Sequence, residues 1–220
     1  MGGIKRFSSS LPGVILLTVI FTSVAWTYVV LPFPFSQNGN ILHDNFFILI
    51  ASLLGMLLLP FITIKYAYGR NIKEFGLCLP ENTKRAIIYT IAATIIFIPF
   101  AIFTSKVEGV RSFYALQNVS VGDFVIGVIF FGFLYYIVEE FLFRGFLFWG
   151  LWEKIGYHSF WVNGLLFSLL HLGKPLVEIP LAFGLSLPLS WISLKTKSSL
   201  PAAFVHFFLA LVVNLIIFMK

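Results

Sequence analysis

Glu139, Glu140 and Arg144 lie inside one apolar run, Phe130–Trp149 (FFGFLYYIVEEFLFRGFLFW). A run of this kind reaches the ~20 residues a membrane-crossing helix needs. A charge at mid-bilayer costs about 2.5–3.5 kcal/mol even on insertion scales. Such groups normally face a bundle interior or a wet cavity, and three within six residues mark a candidate functional site. On a helix, Glu140 and Arg144 are four apart and share a face, so they can pair. Glu139 points about 100° away from Glu140. One carboxylate can therefore be neutralised by Arg144 while the other faces a cavity. Burial raises a carboxyl pKa and a nearby cation lowers it, a balance suited to a general base acting on water. A structural ion pair that locks two helices is the competing reading.

Two histidines add to this set. Phe167 and His171 are four apart at the end of a later apolar segment, and His206 lies in the last one. At ~1.5 Å of rise per residue, Glu139, His206 and His171 fall roughly 13, 10 and 20 Å from the inner membrane surface. All three depths lie within a hydrocarbon core of about 30 Å. Either histidine alone reads equally well as an interhelical hydrogen bonder. Lys174 and Glu178, four apart, read as a structural pair, and His43 and His158 as interfacial residues.

These residues need a bundle to hold them. The chain has 220 residues, 59% hydrophobic and 11% charged, with 27 Phe. That composition belongs to an all-α integral membrane protein. The aromatic excess reads as lipid-facing or packing rather than as a binding box. The net charge of +6 serves topology rather than nucleic-acid binding. The lone Cys78 excludes an internal disulfide and a multi-cysteine metal site.

Seven apolar segments are expected, at about 11–33, 46–66, 84–104, 122–148, 158–172, 176–194 and 199–219, with room for an eighth near an end. The fifth is short, and Pro175, Pro180 and Pro188 flank or interrupt the sixth; broken helices are tolerated where they line a cavity. Lys5, Arg6, Lys65, Arg70, Lys73, Lys84, Arg85, Lys154, Lys195 and Lys197 fall on one side, against Lys106, Arg111, Lys174 and Lys220 on the other. The positive-inside rule then puts the N-terminus in the cytoplasm and the C-terminus outside. The first segment resembles a signal peptide, with Ser23 and Ala25 as small residues, but its apolar run is long for one. Met1, Gly2 and Gly3 look like a myristoylation start, yet Arg6 stands where Ser or Thr is wanted. No internal repeat or low-complexity tract divides residues 1–220, which read as one transmembrane unit. The clear polar insertion is Tyr66–Arg85, a cytoplasmic loop after which Asn82 or Thr83 caps the next helix.

Glu139–Glu140 with Arg144, then Phe167 with His171, then His206 resemble the EExxxR, FxxxH and HxxxN/D motifs of the CPBP family of intramembrane proteases. This family includes CAAX prenyl endopeptidases and bacteriocin-processing or self-immunity proteins. The motif-bearing resemblance covers about residues 120–215, and Glu74–Pro80 (EFGLCLP) is similar to the family's preceding loop. It departs at Ala210, where the family pattern has Asn or Asp. Asn214 lies about 80° round and ~12 Å further along the helix, so it is no direct substitute. Asn163 is another polar candidate, and Phe167, Asn163 and Asn214 are the expected substrate-contacting residues.

The resemblance implies peptide-bond hydrolysis in a membrane-anchored or lipidated (CAAX-like) substrate. It implies Glu139 as the base, Glu140 as its partner, Arg144 fixing the pair, and His171 and His206 positioning water or stabilising the oxyanion. A cofactor-free glutamate mechanism is expected, in keeping with the family's glutamic-type description. Zinc held by Glu139, His171 and His206 is the alternative, although the HExxH signature is missing. Two non-protease readings stand beside it. One is a weakly active or inactive immunity or regulatory protein, which Ala210 favours. The other is a small proton-coupled transporter, for which no inverted repeat speaks.

Overall fold

The computed structural model describes residues 9–30, 41–114 and 119–219. Met1–Gly3, Lys5, Arg6, residues 31–33 and Lys220 lie outside the described residues, as does the side chain of Ala25.

Eight helices carry the described chain, and no strand occurs among the described residues. They are α1 (Leu11–Val30), α2 (Ile41–Tyr68), α3 (Thr83–Thr104), the short α4 (Glu108–Phe113), α5 (Val121–Ile155), α6 (His158–Leu169), α7 (Glu178–Thr196) and α8 (Leu200–Phe218). Without α4, these match the seven expected segments. Among the described residues, α2, α3, α5 and α8 are long and apolar enough to cross a membrane, and Leu11–Val24 of α1 is a shorter apolar stretch. The protein is an all-α integral membrane protein. Large apolar side chains such as Ile87, Ile91, Ile95 and Phe103 on α3 and Trp161 and Leu165 on α6 remain exposed on the bundle's outer faces, as a lipid solvent permits.

The centre of the bundle is α5. Every residue from Val138 to Phe148 is buried, and Phe141, Phe143, Phe146 and Leu147 join Val14 and Phe21 of α1, Met56 of α2 and Phe167 of α6 in one cluster. A second cluster, around Ala93, Leu189, Ile192, Val205 and Leu209, joins α3, α7 and α8. Small residues let the helices approach: Cγ1 of Val14 lies 3.0 Å from where a Cβ on Gly150 would sit.

Helix α5 departs from α geometry at Phe124–Phe131 and at Phe141–Leu147, where the turns widen to π form. Such widened turns recur at functional sites. The second begins directly after Glu140 and contains Arg144. Its slack backbone is tied down from outside, because Ser193 Oγ of α7 donates to the Arg144 carbonyl at 3.1 Å.

The polar insertion closes one end of the bundle beneath this turn. Asn71 opens a capping box with Glu74 over the short 3-10 turn Ile72–Phe75. Gly76 then adopts φ +79°, and its carbonyl accepts from Ser199 N at 2.9 Å at the start of α8. Ser198 Oγ donates to the Cys78 carbonyl at 2.5 Å. Of the two expected caps for α3, Asn82 is the one used, accepting from Arg85 N at 2.9 Å.

Candidate active site

Arg144 and Glu140 are each 0% exposed, and Glu139 is 2% exposed, so the packed core of α5 holds all three charges. Arg144 Nη1 donates to Glu140 Oε1 at 3.1 Å, and its Nε lies 3.0 Å from Glu140 Oε2. The guanidinium also sits 4.1 Å from the centre of the Phe167 ring, a cation–π contact that brings α6 onto α5. Glu140 is thus the neutralised carboxylate.

Glu139 turns the other way. With His171 and His206, it lines a cavity of about 360 Å³, bounded by α3, α5, α7 and α8 and by the turn after α6. Tyr135, one turn before it, donates Oη to Glu139 Oε1 at 2.6 Å. Glu139 Oε2 is buried with no hydrogen bond among the described residues, although His206 Nδ1 comes within 3.3 Å of it.

His206 Nδ1 lies 2.7 Å from Glu140 Oε1. An ionised carboxylate only accepts, so Nδ1 carries the proton there and Nε2 keeps its lone pair. The same logic holds at His171, whose Nδ1 lies 3.0 Å from the Phe167 carbonyl. In a neutral ring at either position, Nε2 is then left as the acceptor. His171 stands outside the helix expected to carry it: α6 ends at Leu169, and His171 N bonds to Ser168 O at 3.0 Å in the turn that follows.

Phe167, 1% exposed, packs against both histidines at the cavity wall, with ring centroids 5.1 Å from His171 and 5.7 Å from His206. Ala210 and Asn214 line the same cavity, and Asn214 Nδ2 donates to the Ala210 carbonyl at 2.8 Å. Asn163 lies away from the cavity wall, fully buried, donating to Ser190 Oγ at 2.7 Å to join α6 to α7. The structure replaces the expected Lys174–Glu178 pair. Lys174 sits in the turn before α7, not on its helix, and Glu178 Oε2 accepts instead from Tyr114 Oη at 2.9 Å. Burial holds the Tyr114 phenol well above its ordinary range, so it stays a donor.

Sequence reasoning passed over the tyrosines. Tyr135 and Tyr136 both line the cavity, and the Tyr136 ring packs 4.4 Å from His206. The signal was present, since Tyr135 precedes Glu139 by four residues and Tyr136 precedes Glu140 by four.

Among the described residues, the carboxylate and imidazole groups whose ligand atoms lie within 4.8 Å of one another are Glu139, Glu140 and His206. This trio differs from the expected zinc set in holding Glu140 rather than His171.

The fold and site define a class: a helical membrane bundle with a carboxylate–histidine cluster held at the wall of an internal cavity. Residues 121–212 match the model of a family described as Rce1-like, Type II CAAX prenyl endopeptidase Rce1-like. This motif-bearing stretch thus belongs with the CPBP/CAAX intramembrane proteases, as its motifs suggested. Neither the curated proteins nor the solved structures gave a match to the chain.

Proposed function

We propose that this protein is an intramembrane endopeptidase that hydrolyses a peptide bond of a membrane-anchored or lipidated substrate, with Glu139 as the base. The observation that carries this reading is the division between the two carboxylates. Glu140 is held by Arg144, whereas Glu139 faces the cavity with one oxygen fixed by Tyr135 and the other, 3.3 Å from His206 Nδ1, without a hydrogen bond among the described residues.

Glu139 Oε2 takes a proton from water while the nascent hydroxide adds to the scissile carbonyl carbon. The Nε2 lone pair of His171 accepts the second hydrogen of that water and fixes its orientation, with His206 beside it on the cavity wall. The carbonyl becomes an oxyanion, and Tyr136 Oη at the cavity wall is a neutral donor for it. Preorganised donors of this kind contribute about 3 kcal/mol. Protonated Glu139 then returns the proton to the departing nitrogen, the C–N bond breaks, and an acid and an amine leave. With Ala210 on this wall, Tyr136 takes over a donor role that the family pattern gives to Asn or Asp. The charge distribution of the sequence supports a cytoplasmic N-terminus and an outside C-terminus.

A second reading rests on the tautomers. Metal-bound histidines usually donate their other N–H to a carboxylate or a carbonyl, as His206 and His171 do. Glu139, Glu140 and His206 are donor types that zinc accepts, and zinc would supply Lewis-acid polarisation of the carbonyl and a bound hydroxide. Against this, Arg144 already occupies both oxygens of Glu140 and puts a fixed positive charge beside the cluster. The glutamate mechanism is therefore preferred.

The test is cleavage of lipidated and plain fluorogenic peptides in proteoliposomes, with wild type, Glu139→Ala and a chelator arm. Cleavage lost in Glu139→Ala but kept in chelator supports the proposal, whereas chelator-sensitive cleavage restores the zinc reading. Absence of cleavage by a folded wild type favours a regulatory or immunity role.

A further inference from the structure

The cavity beside Glu139 extends toward one end of the bundle. Its wall begins at Phe97 on α3 and at His206 on α8, and on α7 it runs from Glu178 to Leu185. These are the halves of the helices remote from the polar insertion, whose Gly76 carbonyl is joined to Ser199 at the opposite end of α8. Among the described residues that line the cavity, none belongs to that insertion. On the insertion side of Glu139 the bundle is solid. Every residue from Glu140 to Phe148 is buried, and a Cβ on Gly145 would lie only 2.6 Å from the Phe75 carbonyl oxygen.

The solid end carries the basic residues that set topology. Lys65, Arg70, Lys84, Arg85, Lys195 and Lys197 lie there, at the end of α2, the start of α3 and the end of α7. With a cytoplasmic N-terminus this end is the inner one, and the cavity occupies the outer half of the membrane.

The outer end is covered rather than open. Arg111 Nε of α4 donates to the Ser105 carbonyl at 3.0 Å, and Tyr114 Oη donates to Glu178. A Cβ on Gly109 of α4 would lie 3.9 Å from Pro175 Cβ. Helix α4 is thus laid across the mouth and held at the ends of α3 and α7.

A side opening remains. Phe100 of α3 is 51% exposed and Gly184 of α7 is exposed, yet both line the cavity. Helices α3 and α7 meet nearer the inner end, where the Tyr89 and Trp191 rings stand 4.9 Å apart. Further out, a Cβ on Gly184 would meet nothing within 4 Å, so the flank of α7 is bare there.

We infer that the substrate is a peptide anchored in the outer leaflet, which reaches Glu139 sideways through the gap between α3 and α7. This rests on the protease reading and the orientation above, and specifies the substrate as an exported peptide rather than a cytoplasmic one. A lipid anchor stays among the acyl chains while the attached peptide passes between Phe100 and Gly184. The side chains of Phe97, Phe100, Leu181 and Leu185 suit apolar residues beside the cut.

The test reads the side first. A fluorogenic lipopeptide with a charged, membrane-impermeant peptide part is added to right-side-out and to inverted vesicles containing the full chain. Cleavage is expected in right-side-out vesicles and only after detergent in inverted ones. Equal rates, or cleavage confined to inverted vesicles, overturn the inference. The gap is read next, with Gly184→Trp against Gly132→Trp, a glycine off the cavity wall whose Cβ would also meet nothing within 4 Å. Gly184→Trp should raise KM for the lipopeptide about tenfold, the size of a packing penalty, and Gly132→Trp should leave it unchanged. Unchanged KM in Gly184→Trp overturns the lateral route. A readout without turnover keeps this separate from the chemistry. In a Cys78→Ser background, Ala210→Cys on the cavity wall should react with an impermeant maleimide from the same side as Lys106→Cys and opposite to Lys73→Cys. Labelling of Ala210→Cys from the Lys73→Cys side, or from neither, overturns the inference. Outer-side labelling with no cleavage in any preparation would refute the protease reading and leave the outward cavity standing.

Discussion

His206 Nδ1 stands 2.7 Å from Glu140 Oε1 and 3.3 Å from Glu139 Oε2, so one imidazole from α8 touches both carboxylates of α5. With Arg144 on the far side of Glu140, the row reads arginine, glutamate, histidine, glutamate, cavity. Each member fixes the next, and the row reaches the cavity at His206 and Glu139.

Arg144 should therefore act through stability. Removing one partner of a buried pair leaves the other charge uncompensated, at a cost of about 3–5 kcal/mol. Arg144→Ala is expected to lower the unfolding midpoint sharply in detergent micelles. Glu139→Gln should leave that midpoint nearly unchanged while kcat falls about 100- to 10,000-fold. Equal thermal stability of Arg144→Ala and wild type would remove Arg144 from this role.

Tyr135→Phe deletes the hydroxyl that holds Glu139 Oε1 at 2.6 Å and little else. A hydrogen bond to a charged group contributes enough that kcat should fall about tenfold. KM should move little, since the ring that lines the cavity remains. A KM rise at constant kcat would show Tyr135 to be a substrate contact rather than a positioning residue.

Gly145 is the point where the loop meets the widened turn of α5. A Cβ there would lie 2.6 Å from the Phe75 carbonyl oxygen and 2.7 Å from Phe141 Cδ2. Phe75 O is backbone in a loop pinned to α8, so it has little room to yield. Gly145→Ala should cost about 1–3 kcal/mol, and chemical denaturation in micelles measures it.

The capping box of the same loop is pH-dependent. The Asn71 backbone N–H, then the Arg70 side chain, hold the Glu74 carboxyl below its ordinary value. A lowered folded pKa means that the cap's contribution is fully present above the ordinary glutamate range. It is lost as pH falls through the lowered value. Hydrogen exchange at the Asn71 amide should therefore keep its protection at neutral pH and lose it in strong acid. Corrected for intrinsic rates, protection unchanged in acid, or lost already near neutral pH, would contradict this.

The sequence by itself determined the class of the molecule and the identity of its charged centre. Membrane helices satisfy their own backbone, so length and apolarity alone place the segments, and each of the seven expected ones falls on a helix, with ends that extend furthest beyond expectation at Ile41 and Ile155. A charge in lipid is so costly that Glu139, Glu140 and Arg144 announce themselves, and i,i+4 spacing already pairs Glu140 with Arg144. Only the tertiary structure decided which groups meet across helices. It brought His206 to Glu140 across 66 residues and Tyr114 to Glu178 across 64. It placed Asn163 in a helix–helix contact rather than on the cavity wall. It also set His171 in a turn beyond the end of α6. Helical periodicity tells which side chains share a face of one helix. The rotation and approach of neighbouring helices come from side-chain packing, as where Val14 meets Gly150, and that is a property of the whole bundle.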